Sequence, residues 1–353
     1  MHFKRINYFQ MNKRSLLCTI LLCLVCSIRI HAQQLPHYTQ YVLNQYAINP
    51  ALTGVENYTD IRMSHRRQWT GLEGAPLTSY LTIHMPIGKK DYRTTATSFE
   101  MNGENPLGPQ YWRDYEASPA HHGIGLQLFN DRIGPFNDFN AYLTYAYHMP
   151  IGPKTNLSAG IGAGFGNLSL STGKLFFGNA NPTDPAVTNG DYLRNLRFNA
   201  KAGLYLYSAD YFAGLSVQEI LPQKIDFSGN TIQTPTGKWV PHIFITGGYR
   251  IPLGIDMQWI PSALIKLVKP LPLQFDLNSK FQYRDMVWAG LSYRHLYGVA
   301  GMAGVRVQRG IHFSYSYDYS VTPLNQVSNG SHEFQLGFLL GNKYGGTCPK
   351  NVW

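Results

Sequence analysis

Only four cysteines occur in 353 residues, and three of them, Cys18, Cys23 and Cys26, fall within an apolar leader. Without that leader Cys348 stands alone, so no internal disulfide can form and the fold must close without covalent staples. Charged residues are scarce as well, at 14% of the chain. Beyond the leader no apolar run reaches 18 residues, which excludes helical membrane spans. A soluble all-β protein and an outer-membrane β-barrel both remain open.

The leader has the parts of a secretory signal peptide: Lys13 and Arg14 ahead of an apolar run from Leu16 to Ile28, then small Ala32 before the expected cleavage point. Residues 1–32 are therefore expected to be removed, with Gln33 as the new N-terminus and Met11 an equally complete start. A run of about 13 residues followed by Arg29 falls short of a membrane anchor. Val25, not a small residue, precedes Cys26, so a lipidated N-terminus is not expected. The leader holds five Lys or Arg and no acid, leaving 25 basic against 20 acidic residues in the mature chain. That weak positive balance gives no argument for nucleic acid as a partner.

Catalytic and cofactor signatures are missing too. The Gly-rich stretch Leu157–Leu170 fails the GxGxxG spacing, because Phe165 and Asn167 stand where glycine is required. Gly160, Gly162, Gly164 and Gly166 instead form a period-two stripe, as in a strand that leaves room inside a barrel or lets it curve. The 12 histidines are scattered, and adjacent His121 and His122 point to opposite faces of a strand, so no metal site is expected. No GxSxG and no defensible Ser, His and acid grouping occurs, so no enzyme, catalytic residue or cofactor is expected.

What is present is alternation. Leu273, Phe275, Leu277, Phe281 and Tyr283 fall on one face, against Gln274, Asp276, Asn278, Lys280, Gln282 and Arg284 on the other. Phe198–Leu206 and Ile311–Tyr319 read the same way. Fourteen such stretches begin near Tyr58, Leu77, Ile124, Phe139, Leu157, Phe198, Tyr211, His242, Ile255, Leu273, Met286, Val299, Ile311 and His332, most of them about 8 to 11 residues long. That is the length a tilted strand needs to cross a membrane, and an even count returns both ends of a barrel to one side.

Loop lengths sort by parity. Connections after the fourth, sixth, eighth, tenth and twelfth stretches are tight, whereas Ser171–Arg194 and Glu219–Trp239, after the fifth and seventh, are long. Short periplasmic turns and long extracellular loops are the habit of outer-membrane barrels. One connection breaks the rule: Gly88–His121 inserts about 30 residues where a tight periplasmic turn is expected. Tyr111, Trp112, Tyr145, Tyr147, Trp239, Tyr249, Trp259, Tyr283, Trp288, Tyr293 and Tyr319 mostly fall near strand ends, where a ring with a polar handle sits at the headgroup level.

Three passages then make a resemblance specific: Asn49-Pro50-Ala51, Arg67-Gln68-Trp69 and Ser331-His332-Glu333. With their surroundings they resemble the PorP/SprF family of Bacteroidetes outer-membrane proteins, associated with the type IX secretion system and gliding motility. The resemblance implies an integral outer-membrane barrel of about 14 antiparallel strands over 57–341, working in lipid. Its implied partners are periplasmic secretion-ring components and a secreted client, such as an adhesin, with a C-terminal sorting domain. The chain departs from the family pattern in the insertion and in a tail over 342–353. The alternative function is a diffusion channel or small-ligand transporter, since polar inward residues such as Lys201 and Lys280 suit either.

Two sets of candidate site residues follow. Residues 33–56 form a periplasmic lead-in, in which Tyr38, Tyr41, Val42, Tyr46, Asn49 and Pro50 are expected to plug the barrel or meet a partner. Pro50 favours an extended Asn49 and a turn there rather than a continuing helix. In the insertion, Tyr111, Trp112 and Arg113 are candidate periplasmic contacts.

Overall fold

Alternation becomes one antiparallel sheet that closes on itself. The computed structural model describes residues 38–89, 116–171, 192–223, 238–254, 256–284, 286–308 and 310–341. The expected leader over 1–32, the tail with Cys348, and Tyr111, Trp112 and Arg113 of the insertion lie outside them.

The strands are β1 (Thr59–Arg67), β2 (Leu77–Ile87), β3 (His121–Ile133), β4 (Phe136–Gly152) and β5 (Thr155–Ser171). There follow β6 (Tyr192–Ser208), β7 (Tyr211–Gln218), β8 (His242–Tyr249), β9 (Ile251–Leu253) and β10 (Met257–Val268). The last are β11 (Gln274–Tyr283), β12 (Val287–Arg294), β13 (Gly298–Gln308), β14 (Ile311–Ser320) and β15 (Ser331–Leu340). Both β8 and β9 pair with β10, so they are two pieces of one strand interrupted at Arg250. Fourteen staves therefore make the wall, as the alternation predicts. Closure comes from β1 pairing antiparallel with β15, from Thr59 opposite Leu340 to Arg67 opposite His332.

The staves carry apolar side chains outward and mainly polar ones inward, the pattern of a wall with lipid outside. On β11, Leu277 and Phe281 are exposed while Asp276, Asn278 and Lys280 are buried. Phe198 and Leu204 of β6 are likewise exposed, against buried Asn199, Lys201 and Tyr205. The expected faces hold on these strands. Tyr145, Tyr249, Tyr283, Tyr293 and Tyr319 are exposed as a girdle requires. Two tryptophans are not girdle residues: Trp239 is buried with the Arg197 guanidinium 3.7 Å above its ring, and Trp288 packs inward beside Met302. Proximity to a strand end does not tell which face a ring takes.

Strand length departs from expectation on one side. β4, β5 and β6 each run 17 residues, because ladder pairing continues where the alternation stops. Outward positions there turn polar, Asn137 opposite Ser169 and then Asn167 opposite Phe139 on one strand only, so periodicity ends before the hydrogen bonds do.

Tight turns such as Pro153–Lys154 and Ala209–Asp210 sit at the end of the barrel where β1 begins and β15 ends. By loop length this end is periplasmic. Both described ends of the insertion are fastened there: Lys89 Nζ donates to the Val55 carbonyl at 2.7 Å, and Ala117 N to the Pro153 carbonyl at 2.8 Å.

Residues on β11 test the register. Asn278 donates to the Tyr41 hydroxyl at 2.8 Å in a closed space, so a long cation there has no room, contrary to what a water-filled lumen implies. Gln274 is half-buried beside a cavity, and its Oε1 has no hydrogen-bond partner among the described residues. Leu277→Arg is expected to lower unfolding free energy in micelles by about 2–4 kcal/mol, and Gln274→Arg by under about 1 kcal/mol. Equal losses in denaturant titrations would reverse the assignment of faces.

Candidate functional site in the barrel lumen

Buried side chains gather inside the barrel around Thr39–Val55. Three short 3-10 turns, Gln40–Val42, Gln45–Ala47 and Pro50–Leu52, make up this N-terminal segment, and every residue from Thr39 to Val55 is buried. Local chemistry sets the breaks between turns. Asn49 is extended, at φ −134° and ψ 113°, as the following proline demands, and its side chain accepts from Ala51 N at 2.9 Å. A single turn of 3-10 helix leaves most backbone groups without internal partners, so the wall must supply them.

It does so from nearly every side. Gln40 Nε2 donates to the Glu333 carbonyl at 2.8 Å, Asn44 Nδ2 to Thr82 Oγ1 at 2.9 Å, and Gln127 Nε2 to the Tyr46 carbonyl at 2.6 Å. Ser216 and Gln218 both donate to the Ile48 carbonyl at 2.7 Å. Arg62 donates to the Leu43 carbonyl and Ser158 to that of Ala51. The Asn49 amide, besides its cap, donates to Leu204 O at 3.0 Å. These partners come from β1, β2, β3, β5, β6, β7 and β15, so the segment lies within the ring of strands. The lead-in expected on the periplasmic side runs instead through the lumen, from the outer half at Thr39 to the periplasmic mouth at Gly54.

Apolar contacts follow the same path. Tyr41, Val42 and Ile48 pack with Phe244, Leu264 and Met302, while Tyr46, Leu52 and Val55 pack with Tyr205, Phe212 and Ile260. Tyr38 meets the Tyr80 ring edge-on at 5.3 Å. The Tyr41 hydroxyl accepts from Asn278 Nδ2 at 2.8 Å, and the Tyr46 hydroxyl shares a hydrogen bond with Thr144 Oγ1 at 2.6 Å. All six candidate residues of the lead-in, Tyr38, Tyr41, Val42, Tyr46, Asn49 and Pro50, therefore lie against the wall of their own barrel. Pro50 opens the last turn.

The glycine stripe explains how the segment fits. A Cβ at Gly160 would stand 2.5 Å from backbone atoms of Pro50 and Ala51, and one at Gly203 would strike Asn49 Oδ1. The room that the stripe leaves is taken up at Gly160 by the segment, and at Gly162 and Gly166 by the Lys201 and Arg197 side chains.

Several partners were invisible to motif reading. His84, His121 and His148, far apart in sequence, converge on Thr53 and Gly54: His84 Nδ1 accepts from Gly54 N at 3.1 Å, while His148 Nε2 lies 2.8 Å from Thr53 O. His121 stacks on His148 with centroids 4.5 Å apart. Among the described residues no group of His, Cys, Asp and Glu is arranged to hold a metal.

At the outer end a charged cluster joins the segment to the seam of the barrel. Arg66 of β1, fully buried, pairs with Asp318 of β14 and, at 3.2 Å, with Glu333 of β15. Thr39 N donates to Glu333 at 2.8 Å and Thr39 Oγ1 to Asp318 at 2.7 Å. Arg294, paired with Asp276 at 3.1 Å, extends the cluster. The only signal of this in the sequence was the inward phase of Arg66, Asp318 and Glu333.

Two measurements follow from this geometry. Glu333→Ala, which removes one of the two carboxylates on Arg66 and the acceptor of Thr39 N, is expected to cost about 3–5 kcal/mol in denaturant unfolding. Gly160→Val should leave the wall closed, with heat-modifiable electrophoretic mobility retained, yet unseat the segment so that chymotrypsin cuts after Tyr41 and Tyr46. Resistance equal to that of the parent chain would mean that the stripe is not what seats the segment.

The family described as "Type IX secretion system membrane protein PorP/SprF" matches residues 30–338. No curated protein matches the sequence. Among solved structures, the chain is similar to the CymD monoaromatic hydrocarbon channel at 10% identity and TM-score 0.48, over 86% of this chain and 92% of that one. It is also similar to Omp33 of Acinetobacter baumannii, at 8% identity and TM-score 0.44, over 82% of this chain and 100% of that one. The toluene transporter TbuX of Ralstonia pickettii matches at 12% identity and TM-score 0.42, over 82% and 90%. No ligand passes to this chain from likenesses so distant. With a match over most of its length, a closed wall of fourteen staves and an apolar outer face, this chain belongs to the PorP/SprF family of type IX secretion system membrane proteins and is an integral outer-membrane β-barrel.

Proposed function

We propose that this barrel is a non-enzymatic docking component of the type IX secretion system, supporting export or cell-surface attachment of a secreted client rather than diffusion of small solutes. The client class is a large adhesin with a C-terminal sorting domain, met at the outer face, with gliding motility among the processes served. Secretion-ring components meet the periplasmic face, where the insertion bearing Tyr111, Trp112 and Arg113 provides a second contact. One observation supports closure over conduction: seventeen consecutive buried residues, Thr39 to Val55, cross the lumen and bond to its wall. In this reading Tyr38, Tyr41, Tyr46, Asn49 and Pro50 are plug residues, acting on partners only through the shape of the barrel.

Planar-bilayer recording separates docking from conduction. The full chain is expected to pass no steady open-pore current and to co-purify with a large secreted protein; sustained conductance without such a protein favours the channel. Tyr41→Ala and Asn49→Ala, scored separately for barrel assembly and for client export, should impair assembly or closure first. Deleting residues 94–118 should leave assembly intact and reduce co-purification of ring components; unchanged secretion and co-purification would remove the insertion from the mechanism.

A further inference from the structure

On its lipid face the barrel wall is indented between two phenylalanine ridges. Phe313 of β14 and Phe334 of β15, with ring centroids 6.4 Å apart, form one ridge, and Phe139 of β4 forms the other. The floor between them comes from β1, β2 and β3, where Ser79 is small and Leu81 and Leu128 are half-buried. This groove holds about 590 Å³, the volume of a ligand site.

Polarity rises along the floor toward the outer end of the strands. On the outward face of β1, Met63 gives way to His65 and then Arg67; on that of β3, Leu128 gives way to Asn130 and then Arg132. The two strands are in step, because Leu77 of β2 pairs with both Arg67 and Arg132. Arg67 is the last residue of β1 and Leu77 the first of β2, so the arginines stand where hydrocarbon gives way to headgroups. Two strand spacings, about 10 Å, separate their backbones.

Both arginines are exposed, and among the described residues neither has a carboxylate partner. Arg132 donates to Asn137 Oδ1 at 3.3 Å, and Glu73, the one acid of the β1–β2 loop, pairs with neither. His65, held by Ser79 with Nδ1 2.9 Å from Oγ, stands between the arginine row and the apolar floor. Guanidinium groups offer paired donors to phosphate oxygens, and basic clusters at the membrane surface take anionic headgroups. A soluble anion would use the arginines and leave the groove empty. A second barrel or an apolar helix would fill the groove and leave two cations without partners. An apolar tail attached to a phosphate matches both.

We propose that this groove binds a phosphate-bearing lipid of the outer leaflet, of the lipid A class. An acyl chain lies between Phe334 and Phe139, and Arg67 and Arg132 hold the phosphate. The assignment rests on the outer-membrane location and stands apart from the client-docking reading, since a solute channel in the same membrane would carry the same groove.

The test titrates the full chain in detergent micelles with monophosphoryl lipid A, read by native mass spectrometry. The parent chain is expected to bind this lipid at least about tenfold more tightly than its dephosphorylated form. Arg67→Gln combined with Arg132→Gln should remove that difference, and Ser79→Phe, which fills the floor, should weaken binding without touching either charge. Arg194→Gln, exposed at the outer end of β6 and away from the groove, should leave binding unchanged. Heat-modifiable mobility identifies variants that still close; the comparison of the two lipids on the parent chain decides without any variant. Equal affinity for the two lipids overturns the proposal, as does undiminished binding in the double arginine variant or an equal loss in Arg194→Gln. Displacement of the lipid by equimolar inorganic phosphate also overturns it, because the site would then take small anions. So does a dimer that Ser79→Phe dissociates, because a second copy would then hold the groove.

Discussion

A buried arginine held between two carboxylates joins the first strand of this barrel to its last two. Arg66 has no water to fall back on, and neither do Asp318 and Glu333, so each depends on the others being in place. Thr39 completes the set by donating to both acids, which ties the N-terminal segment to the seam. The seam is where a barrel is least determined by local sequence, because β1 and β15 are brought together from opposite ends of the chain. The cluster puts the seam and the outer end of the segment on one set of side chains.

Inside, the lumen solves a problem that regular secondary structure usually solves for itself. Seventeen buried residues in broken 3-10 turns carry backbone groups that neither helix nor sheet satisfies, and the inward side chains of the wall take them up one by one. Gln127, Gln218, Ser216, Ser158 and Arg62 donate to its carbonyls and Glu333 and His84 accept from its N–H groups, while Gln40, Asn44 and Asn49 of the segment reach back to the wall. Glycines supply clearance where side chains would collide. Polar satisfaction and shape together select one path through the barrel.

How much of this could be read from the chain differs between wall and filling. The wall was legible because a strand with lipid on one face must alternate, and residues such as Leu277 and Asn278 declare their faces by type alone. Strand ends in β4–β6 were not, since Asn137 and Ser169 continue the ladder beyond the membrane, where neither face needs to be apolar. The filling was half legible. Aromatic and amide residues from Tyr38 to Pro50 marked a buried surface, and Pro50 fixed Asn49 as extended, but nothing local distinguishes a lumen from a partner's groove. The three convergent histidines and the Arg66 cluster depend on pairings up to 294 residues apart, which no spacing rule reaches.

That separation bears on how the molecule is made. Residues 39–55 are translated and delivered before any strand, yet their last partners, Asp318 and Glu333, arrive at the end of the chain. Contacts of such long range are slow to form. For most of assembly the future filling has no complete container, and the container no fixed circumference. In the finished barrel the segment is a mandrel: staves from both ends of the chain touch one axial element, so the stagger of the wall and the path of the filling fit each other.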